Sequence, residues 1–193
     1  DNMYCIKAGV GFSDTKRRAT YNVFYDMKTE QAQIKAQNDI LAGLVEGTTI
    51  NGNSRYNCIL AIADLFYIHD TALTETERAN RITAYLEKAG IRADEWDDVL
   101  TIDEIIATQQ AALWYFTNYG EEEGKYDKTS NTGWLNYTTD GSSYSNFADY
   151  NPTNVIPANS LGAQRQQQSE ILYNYLINTA KANASNYSNT AAT

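Results

Sequence analysis

The chain has little positive charge and no long apolar run. Its 15 Lys and Arg stand against 24 Asp and Glu, which gives a formal net charge of −9. Binding to nucleic acid or to anionic lipid needs clustered Lys and Arg, so this balance argues against both kinds of partner. No apolar run approaches the roughly 20 residues that a membrane-spanning helix requires. We therefore expect no contact with nucleic acid and no span of a membrane.

Cysteine and histidine are also scarce, with two copies of the first and one of the second. Two cysteines allow a single disulfide, between Cys5 and Cys58. A chain of 193 residues can build a sufficient hydrophobic core without it. If both thiols stay reduced, at least one of them needs another explanation. Cys58 lies among Ile59, Leu60 and Ile62, so we assign it to packing.

Tyrosine, in contrast, is abundant, with 15 copies against 5 of phenylalanine. Hydrophobic residues make up 42% of the chain, which excludes a disordered segment and predicts one domain, or one domain with a large insertion. The many Tyr, Asn, Ser and Thr residues, with few Lys, are typical of an extracellular surface protein.

The hydrophobic pattern predicts strands, then helices, then strands, then one helix. Residues near 2–7 and 20–25 are rich in aromatic and β-branched side chains, which favours strands. Residues 26–120 carry apolar side chains at helical spacing. Within them, Thr74 to Glu77 and Thr101 to Glu104 match the capping box that starts a helix.

After Gly120 the pattern changes. Residues 121–165 are rich in Gly, Ser, Asn, Thr and Tyr, which favours short strands and turns. A C-terminal helix is predicted near 166–182, and 183–193 is typical of a linker. The predicted fold class is therefore α+β: a β-sandwich or barrel-like subdomain, formed by 1–25 with 121–165, carries a helical-bundle insertion and is followed by the C-terminal helix.

Two segments suggest chemistry. The first is Tyr4-Cys5-Ile6-Lys7, and the second runs from Thr108 through Gln109, Gln110, Ala111, Ala112 and Leu113 to Trp114. Together they resemble the thioester domains of surface adhesins and pilus-tip proteins of Gram-positive bacteria. In that family an early aromatic-Cys-aliphatic strand supplies a sulfur, and a later Gln-x-Ala-aliphatic-Trp segment of a helix supplies the acyl group. The resemblance also covers the joining of a β-subdomain to a helical one.

The resemblance implies an internal thioester between Cys5 and Gln110, supported by Tyr4, Ala112 and Trp114. It also implies a secreted, cell-wall-anchored protein that binds a host surface or matrix protein, fibrinogen-like in some members, through a Lys side chain. Further stalk domains of the same adhesin, the targeting segment and any wall anchor would lie outside this chain, which begins at Asp1. Such a protein is not an enzyme, because each molecule reacts once, and it needs no cofactor and no metal.

Three alternatives remain open at this stage. A shift of one residue in the second motif would make Gln109 the acyl donor. A Cys-His hydrolase would use Cys5 with His69, the one histidine, and with Asp64 or Asp70 orienting the ring. An adhesion module without a covalent bond would bind through exposed aromatic side chains. Candidates for these are Tyr126, Trp134, Tyr137, Tyr144 and Tyr150.

The acidic stretches 94–98 and 121–123 could suggest calcium. Neither has the alternating ligand spacing of an EF-hand loop. We interpret both as solvated charges, so no metal site is predicted.

Overall fold

The computed structural model describes residues 49–50, 53–68, 70–117, 133–145 and 156–187. Most of them belong to four α-helices. These are α1 (Arg55–Ala63), α2 (Glu75–Lys88), α3 (Ile102–Thr117) and α4 (Leu161–Asn183).

The strands of the described residues form two short antiparallel hairpins. The first pairs β1 (Thr49–Ile50) with β2 (Asn53–Ser54), directly before α1. The second pairs β3 (Asn136–Tyr137) with β4 (Tyr144–Ser145). Two 3₁₀ turns, Ala93–Glu95 and Ala184–Tyr187, complete the described elements.

The predicted β-sandwich or barrel-like subdomain is wrong for the part of the chain that can be described. The described part of its segment 121–165 contains one pair of strands, β3 and β4, with two residues each, and the start of α4. The predicted strands within 1–25 lie outside the described residues. The composition of 121–165 favours turns, and the described residues 138–143 are all Thr, Asp, Gly or Ser, which leaves two residues for each strand. That is shorter than the usual strand of about five or six residues, so the segment forms a hairpin on the helices.

Both predicted capping boxes are confirmed. At the start of α2, the Thr74 side chain accepts from the Glu77 backbone N–H, and the Glu77 carboxylate accepts from the Thr74 backbone N–H at 2.8 Å. At the start of α3, the Glu104 carboxylate accepts from the backbone N–H and the hydroxyl of Thr101 at 2.6 and 2.8 Å. Each box satisfies backbone donors that the first turn of a helix cannot pair internally.

The end of α2 is fixed by Gly90, which takes a left-handed backbone with φ of 88°. The Gly90 N–H donates to Glu87 O, and the Ile91 N–H donates to Leu86 O at 3.0 Å. This is the Schellman arrangement, which is often accompanied by an apolar contact between the two residues of its longer hydrogen bond, here Leu86 and Ile91. Leu86 and Ile91 are accordingly 2% and 1% exposed.

The core lies where α1, α3 and α4 pack against one another. Each of the three helices presents apolar residues to this core. The fully buried ones include Cys58, Ile62, Ile105, Ala112, Phe116, Leu172, Leu176 and Ile177. The helix with the two glutamines, α3, is therefore at the centre of the molecule.

The long helix α4 begins at Leu161. The sequence pattern predicted this helix near 166–182, so it starts earlier than predicted. Its N-cap is Ser160, whose hydroxyl accepts from the Ala163 N–H at 3.2 Å. Its first turn packs tightly on the hairpin: a Cβ on Gly162 would lie 1.9 Å from Thr138 O, so only glycine fits.

The C-terminal end of the described chain is packed more closely than a linker would be. Residues 184–187, predicted as part of the linker 183–193, form a 3₁₀ turn against α1. Ala184 is fully buried, and the Tyr187 hydroxyl donates to the Asp64 carboxylate. The linker prediction is therefore wrong for these four residues, because small and aromatic side chains next to α4 extend the core. None of the described helices has the length and hydropathy needed to span a membrane.

Candidate functional site

The second predicted motif lies in the middle of α3, which places its three key residues on one rigid helix. Gln110 is half-buried, Ala112 is fully buried and Trp114 is 9% exposed. Tyr4 and Cys5 of the first motif lie outside the described residues. The structure therefore locates the proposed acyl donor and its neighbours but not the proposed nucleophile.

Burial along α3 changes close to Gln110. Every residue from Ala111 to Thr117 is buried, so the C-terminal half of the helix is covered on all sides. Before Gln110 only one face of the helix is partly exposed: Asp103 is exposed and Ile106 and Ala107 are half-buried, whereas Glu104, Ile105, Thr108 and Gln109 are buried. Gln110 is the last residue of this partly exposed face, directly before the part of the helix that is buried on all sides.

The two adjacent glutamines have different environments. Gln109 is fully buried, and its Nε2 donates to the hydroxyl of Tyr85 on α2 at 2.8 Å. Successive residues of an α-helix point about 100° apart, so Gln110 faces a different side of α3. The sequence alone did not distinguish the two amides, whereas the structure shows that Gln109 is bonded to a neighbouring helix.

Tyr85 is itself held by an aromatic contact. Its ring lies 5.5 Å from the ring of Tyr67, centroid to centroid, at an interplanar angle of 60°. Tyr67 is 5% exposed, and its buried hydroxyl has no hydrogen-bond partner within the described part of the chain. The tilted geometry is favourable for two aromatic rings and restricts the orientation of Tyr85.

Two polar contacts fasten α3 to α4 on either side of Gln110. Two residues before it, the buried hydroxyls of Thr108 and Ser169 lie 2.9 Å apart, and Ser169 Oγ also accepts from the Leu135 N–H at 3.0 Å. Five residues after it, in a part-buried contact, Lys181 Nζ donates to the Tyr115 hydroxyl at 2.8 Å and lies 4.5 Å from the centre of the Tyr115 ring. Together these contacts limit both rotation and sliding of α3.

The start of α3 is fixed by a buried ion pair. Glu104 is 2% exposed and pairs with Arg165 of α4 at 2.9 Å, in addition to its role in the capping box. Arg165 also contacts the carboxylate of Asp98 in the preceding loop. Burial acts to lower the pKa of Arg165, but hydrogen bonds and charge from Asp98 and Glu104 outweigh it and raise that pKa overall. The sequence indicates the role of Glu104 through its capping box. It gives no signal that Arg165, 61 positions away, is the partner of Glu104.

Cys58 is a free thiol that is fully buried in α1, as its apolar neighbours predicted. This removes a disulfide between Cys5 and Cys58 from the alternatives. Burial raises the pKa of the Cys58 thiol, and the ammonium group of Lys181 offsets part of that rise. A buried thiol with a raised pKa is a poor nucleophile, so Cys58 is a packing residue.

The hydrolase alternative depends on Cys5 and His69, and both lie outside the described residues. The two carboxylates proposed to orient the ring already have other partners. Asp64 accepts from Tyr187, and Asp70 accepts from the Ala72 N–H at 3.0 Å and pairs with Arg81 at 3.7 Å. No contact of either carboxylate in the described residues favours the hydrolase.

The aromatic residues proposed for a binding surface divide into different environments. Tyr137 is 6% exposed, so its assignment to that surface is wrong. Trp134 is half-buried and packs edge-on against Tyr173, whereas Tyr144 is 40% exposed. Tyr126 and Tyr150 lie outside the described residues. Tyr137 was proposed as exposed because it lies in a largely polar segment, whereas the hairpin turns this side chain inward, toward Glu104.

Across the described ranges, no group of three or more His, Cys, Asp or Glu side chains is arranged to hold a metal ion. No family model matches the chain, and no curated protein or solved structure is similar to it.

Proposed function

We propose that the chain forms an internal thioester between Cys5 and Gln110 and uses it to bind a partner protein covalently. The observation that carries this proposal is the position of Gln110 at the end of the partly exposed face of α3, directly before its fully buried part and within the Gln-x-Ala-aliphatic-Trp segment. The pairing of that segment with the Tyr4-Cys5-Ile6 motif gives the thiol that the reaction needs.

The reaction is a substitution at the Gln110 carbonyl carbon. The Cys5 sulfur adds to this carbon, and the carboxamide nitrogen leaves as ammonia, so that a thiol and an amide become a thioester and ammonia. A carboxamide is a weak electrophile, and the reaction therefore depends on holding the two groups together. Oriented groups reach effective molarities of roughly 10⁵ M or more. The contacts that fasten α3 through Thr108 and Tyr115 supply this rigidity on the acyl side.

Survival of a thioester requires that water be kept from it. The turn after Gln110 supports this, because Ala112 and Phe116 are fully buried and Trp114 and Tyr115 are nearly so. The side chains of a helix lean toward its N-terminus, so Leu113 and Trp114 lie over the turn that contains Gln110. An apolar covering of this kind excludes water from one side and leaves the half-buried side for an incoming amine.

Capture of a partner follows from the same bond. A Lys side chain attacks the Gln110 carbonyl, an amide to the partner forms, and Cys5 is released as a thiol. Each molecule reacts once, because the Gln110 acyl group ends in an amide to the partner, which is far less labile than the thioester. We propose accordingly that the protein is a surface adhesin, secreted and anchored to the cell wall, and that its target is a host surface or matrix protein.

The experiment that tests this function is a detergent-resistant capture assay. The protein is incubated with fibrinogen, as a first candidate for the target, and with a peptide that carries a single Lys. Each mixture is then boiled in detergent and separated by size. We expect a new band whose cross-linked peptide joins Gln110 to a Lys of the partner. The band should be absent with Cys5→Ala and with Gln110→Ala, whereas Gln109→Ala should still give it.

An adduct that persists in Cys5→Ala would show that another group performs the capture. Adduct formation with the Lys peptide but not with fibrinogen would support the thioester and show that fibrinogen is not the host target. A cross-linked peptide that contains residue 109 in place of 110 would shift the acyl donor by one position.

A further inference from the structure

Two glutamines stand side by side at the centre of α3, and only one of them can react with a single thiol. Gln109 and Gln110 are chemically identical amides on the same turn of the helix. Their distinction must therefore come from the surrounding residues. The structure provides one such difference, the 2.8 Å hydrogen bond from Gln109 Nε2 to the Tyr85 hydroxyl.

We propose that Tyr85 is a positioning residue that selects Gln110 as the acyl donor by holding the neighbouring amide of Gln109 on α2. The proposal rests on the proposed thioester and concerns the same site. Tyr85 does not touch the reacting atoms in this account. It acts through Gln109. The fixed side chain of Gln109 sets the rotation of α3 about its axis, and thereby the direction in which the Gln110 side chain points.

The geometry of the helix explains how the effect is transmitted. Gln109 is fully buried, so its side chain has little room to adopt another rotamer while the Tyr85 bond is present. A rotation of α3 about its axis would move Gln109 away from Tyr85 and carry Gln110 with it by the same angle. Because a displacement of 1 Å between reacting groups can cost two orders of magnitude in rate, a modest rotation is enough to matter.

The bond also affects which carboxamide can lose ammonia. The nitrogen that leaves in thioester formation is the atom that, in Gln109, donates to Tyr85. Reaction at Gln109 would remove this donor, and the loss of the hydrogen bond to Tyr85 opposes that reaction. The same contact therefore favours Gln110 by position and disfavours Gln109 by energy.

The experiment follows thioester formation during cell-free synthesis of the full chain. Samples are stopped with acid at intervals, and intact mass gives the fraction that lacks one ammonia. For Tyr85→Phe we expect formation to be about fivefold slower than in the unmodified chain, the factor that corresponds to the roughly 1 kcal/mol of one neutral hydrogen bond. Gln109→Leu should slow formation by a similar factor, and the double variant should be no slower than either single one.

The matched control is Tyr67→Phe. This substitution removes a buried phenolic hydroxyl that lies beside Tyr85 and has no hydrogen-bond partner among the described residues. Thioester formation should proceed at the unmodified rate, and the unfolding temperature should be unchanged or higher. Thermal unfolding is measured for every variant. If Tyr85→Phe does not fold, the comparison of Gln109→Leu with Tyr67→Phe decides the question.

The residue that methylamine labels distinguishes a loss of selection between Gln109 and Gln110 from a general loss of stability. Methylamine is added to each variant, and peptide fragmentation locates the adduct. We expect the adduct only at Gln110 in the unmodified chain, and a lower total yield or a share at Gln109 in Tyr85→Phe. Formation at the unmodified rate in Tyr85→Phe, with all label at Gln110, would overturn the role of Tyr85 and leave the thioester intact. If the unmodified chain loses no ammonia, the proposed thioester is overturned, and the role of Tyr85 with it.

Discussion

The guanidinium of Arg55, at the first residue of α1, donates a hydrogen bond to the backbone carbonyl of Phe116 at the end of α3. A second nitrogen of the same side chain donates to the carbonyl of Thr117. The last carbonyls of an α-helix have no partner within the helix, and these two are buried. Arg55 is only 7% exposed, so one buried cation closes the helix that carries Gln110.

Replacement of Arg55 by methionine should therefore destabilise the protein strongly. Two buried carbonyls lose their donors, at roughly 1–3 kcal/mol each, and we expect a total loss of about 2–6 kcal/mol. For a chain of this size that corresponds to a fall of roughly 4–24 °C in the unfolding temperature, measured by circular dichroism. The control is Arg92→Met, which removes an exposed side chain paired with Asp94 and should change the unfolding temperature little. Equal effects of the two substitutions would show that Arg55 does not close α3.

The turn between β3 and β4 should respond to acid. The Asp140 carboxylate accepts hydrogen bonds from the backbone and hydroxyl of Ser142 and from Thr138, and these bonds lower the pKa of Asp140 to about 2. A carboxylate with a lowered pKa contributes stability that is complete above its usual pKa of about 3.9 and is lost as the pH falls toward 2. NMR titration should thus show Asp140 ionised at pH 3, with the turn signals changing only below that. Asp140→Asn should remove this change in the turn signals. A titration midpoint near 4 for Asp140 in the unmodified chain would contradict the lowered pKa.

The helices were predictable because their signals are local. The Thr74 and Thr101 capping boxes each lie within four consecutive residues, and both are present in the structure. The stop at Gly90 also depends on one residue and its backbone conformation. Such features are determined by neighbours in the sequence, so they can be recognised before any tertiary contact is known.

The β-subdomain was wrongly predicted because composition was taken as a sign of strands. The Gly, Ser and Thr residues of 138–143 form the turn of a short hairpin, and Ser160 with Gly162 starts α4 five residues earlier than the apolar pattern indicates. Near its start α4 contains Gly162 and an unbroken polar run from Gln164 to Glu170, so this part of the helix has little apolar periodicity. A helix start that depends on packing against Thr138 is a tertiary property.

The candidate site was only half visible in the sequence. The motif located Gln110, Ala112 and Trp114 on one helix, and the structure shows them there. The contact between Gln109 and Tyr85 joins residues 24 positions apart on different helices, and a single sequence carries no trace of it. Side-chain partners of this kind emerge only when the helices are packed.

The two cysteines should differ sharply toward an alkylating reagent. Cys58 is fully buried and its pKa is raised by that burial, so it should not react with iodoacetamide in the folded protein at pH 8. Cys5 should be protected as a thioester and become reactive once an amine has opened the bond. Peptide mapping should therefore find alkylation at Cys5 only after methylamine treatment, and at Cys58 only after unfolding. Alkylation of Cys5 before any amine is added would show that its sulfur is not in a thioester.

The most direct test of the thioester is the intact mass of freshly purified, amine-free protein, recorded before and after methylamine. We expect a mass one ammonia below that of the sequence, rising by one methylamine on treatment. Cys5→Ala should have the full mass of its own sequence and gain nothing, and so should Gln110→Ala. Gln109→Ala should still lack one ammonia once formation is complete. A fresh, folded protein with the full mass of its sequence and no methylamine adduct would contradict the account.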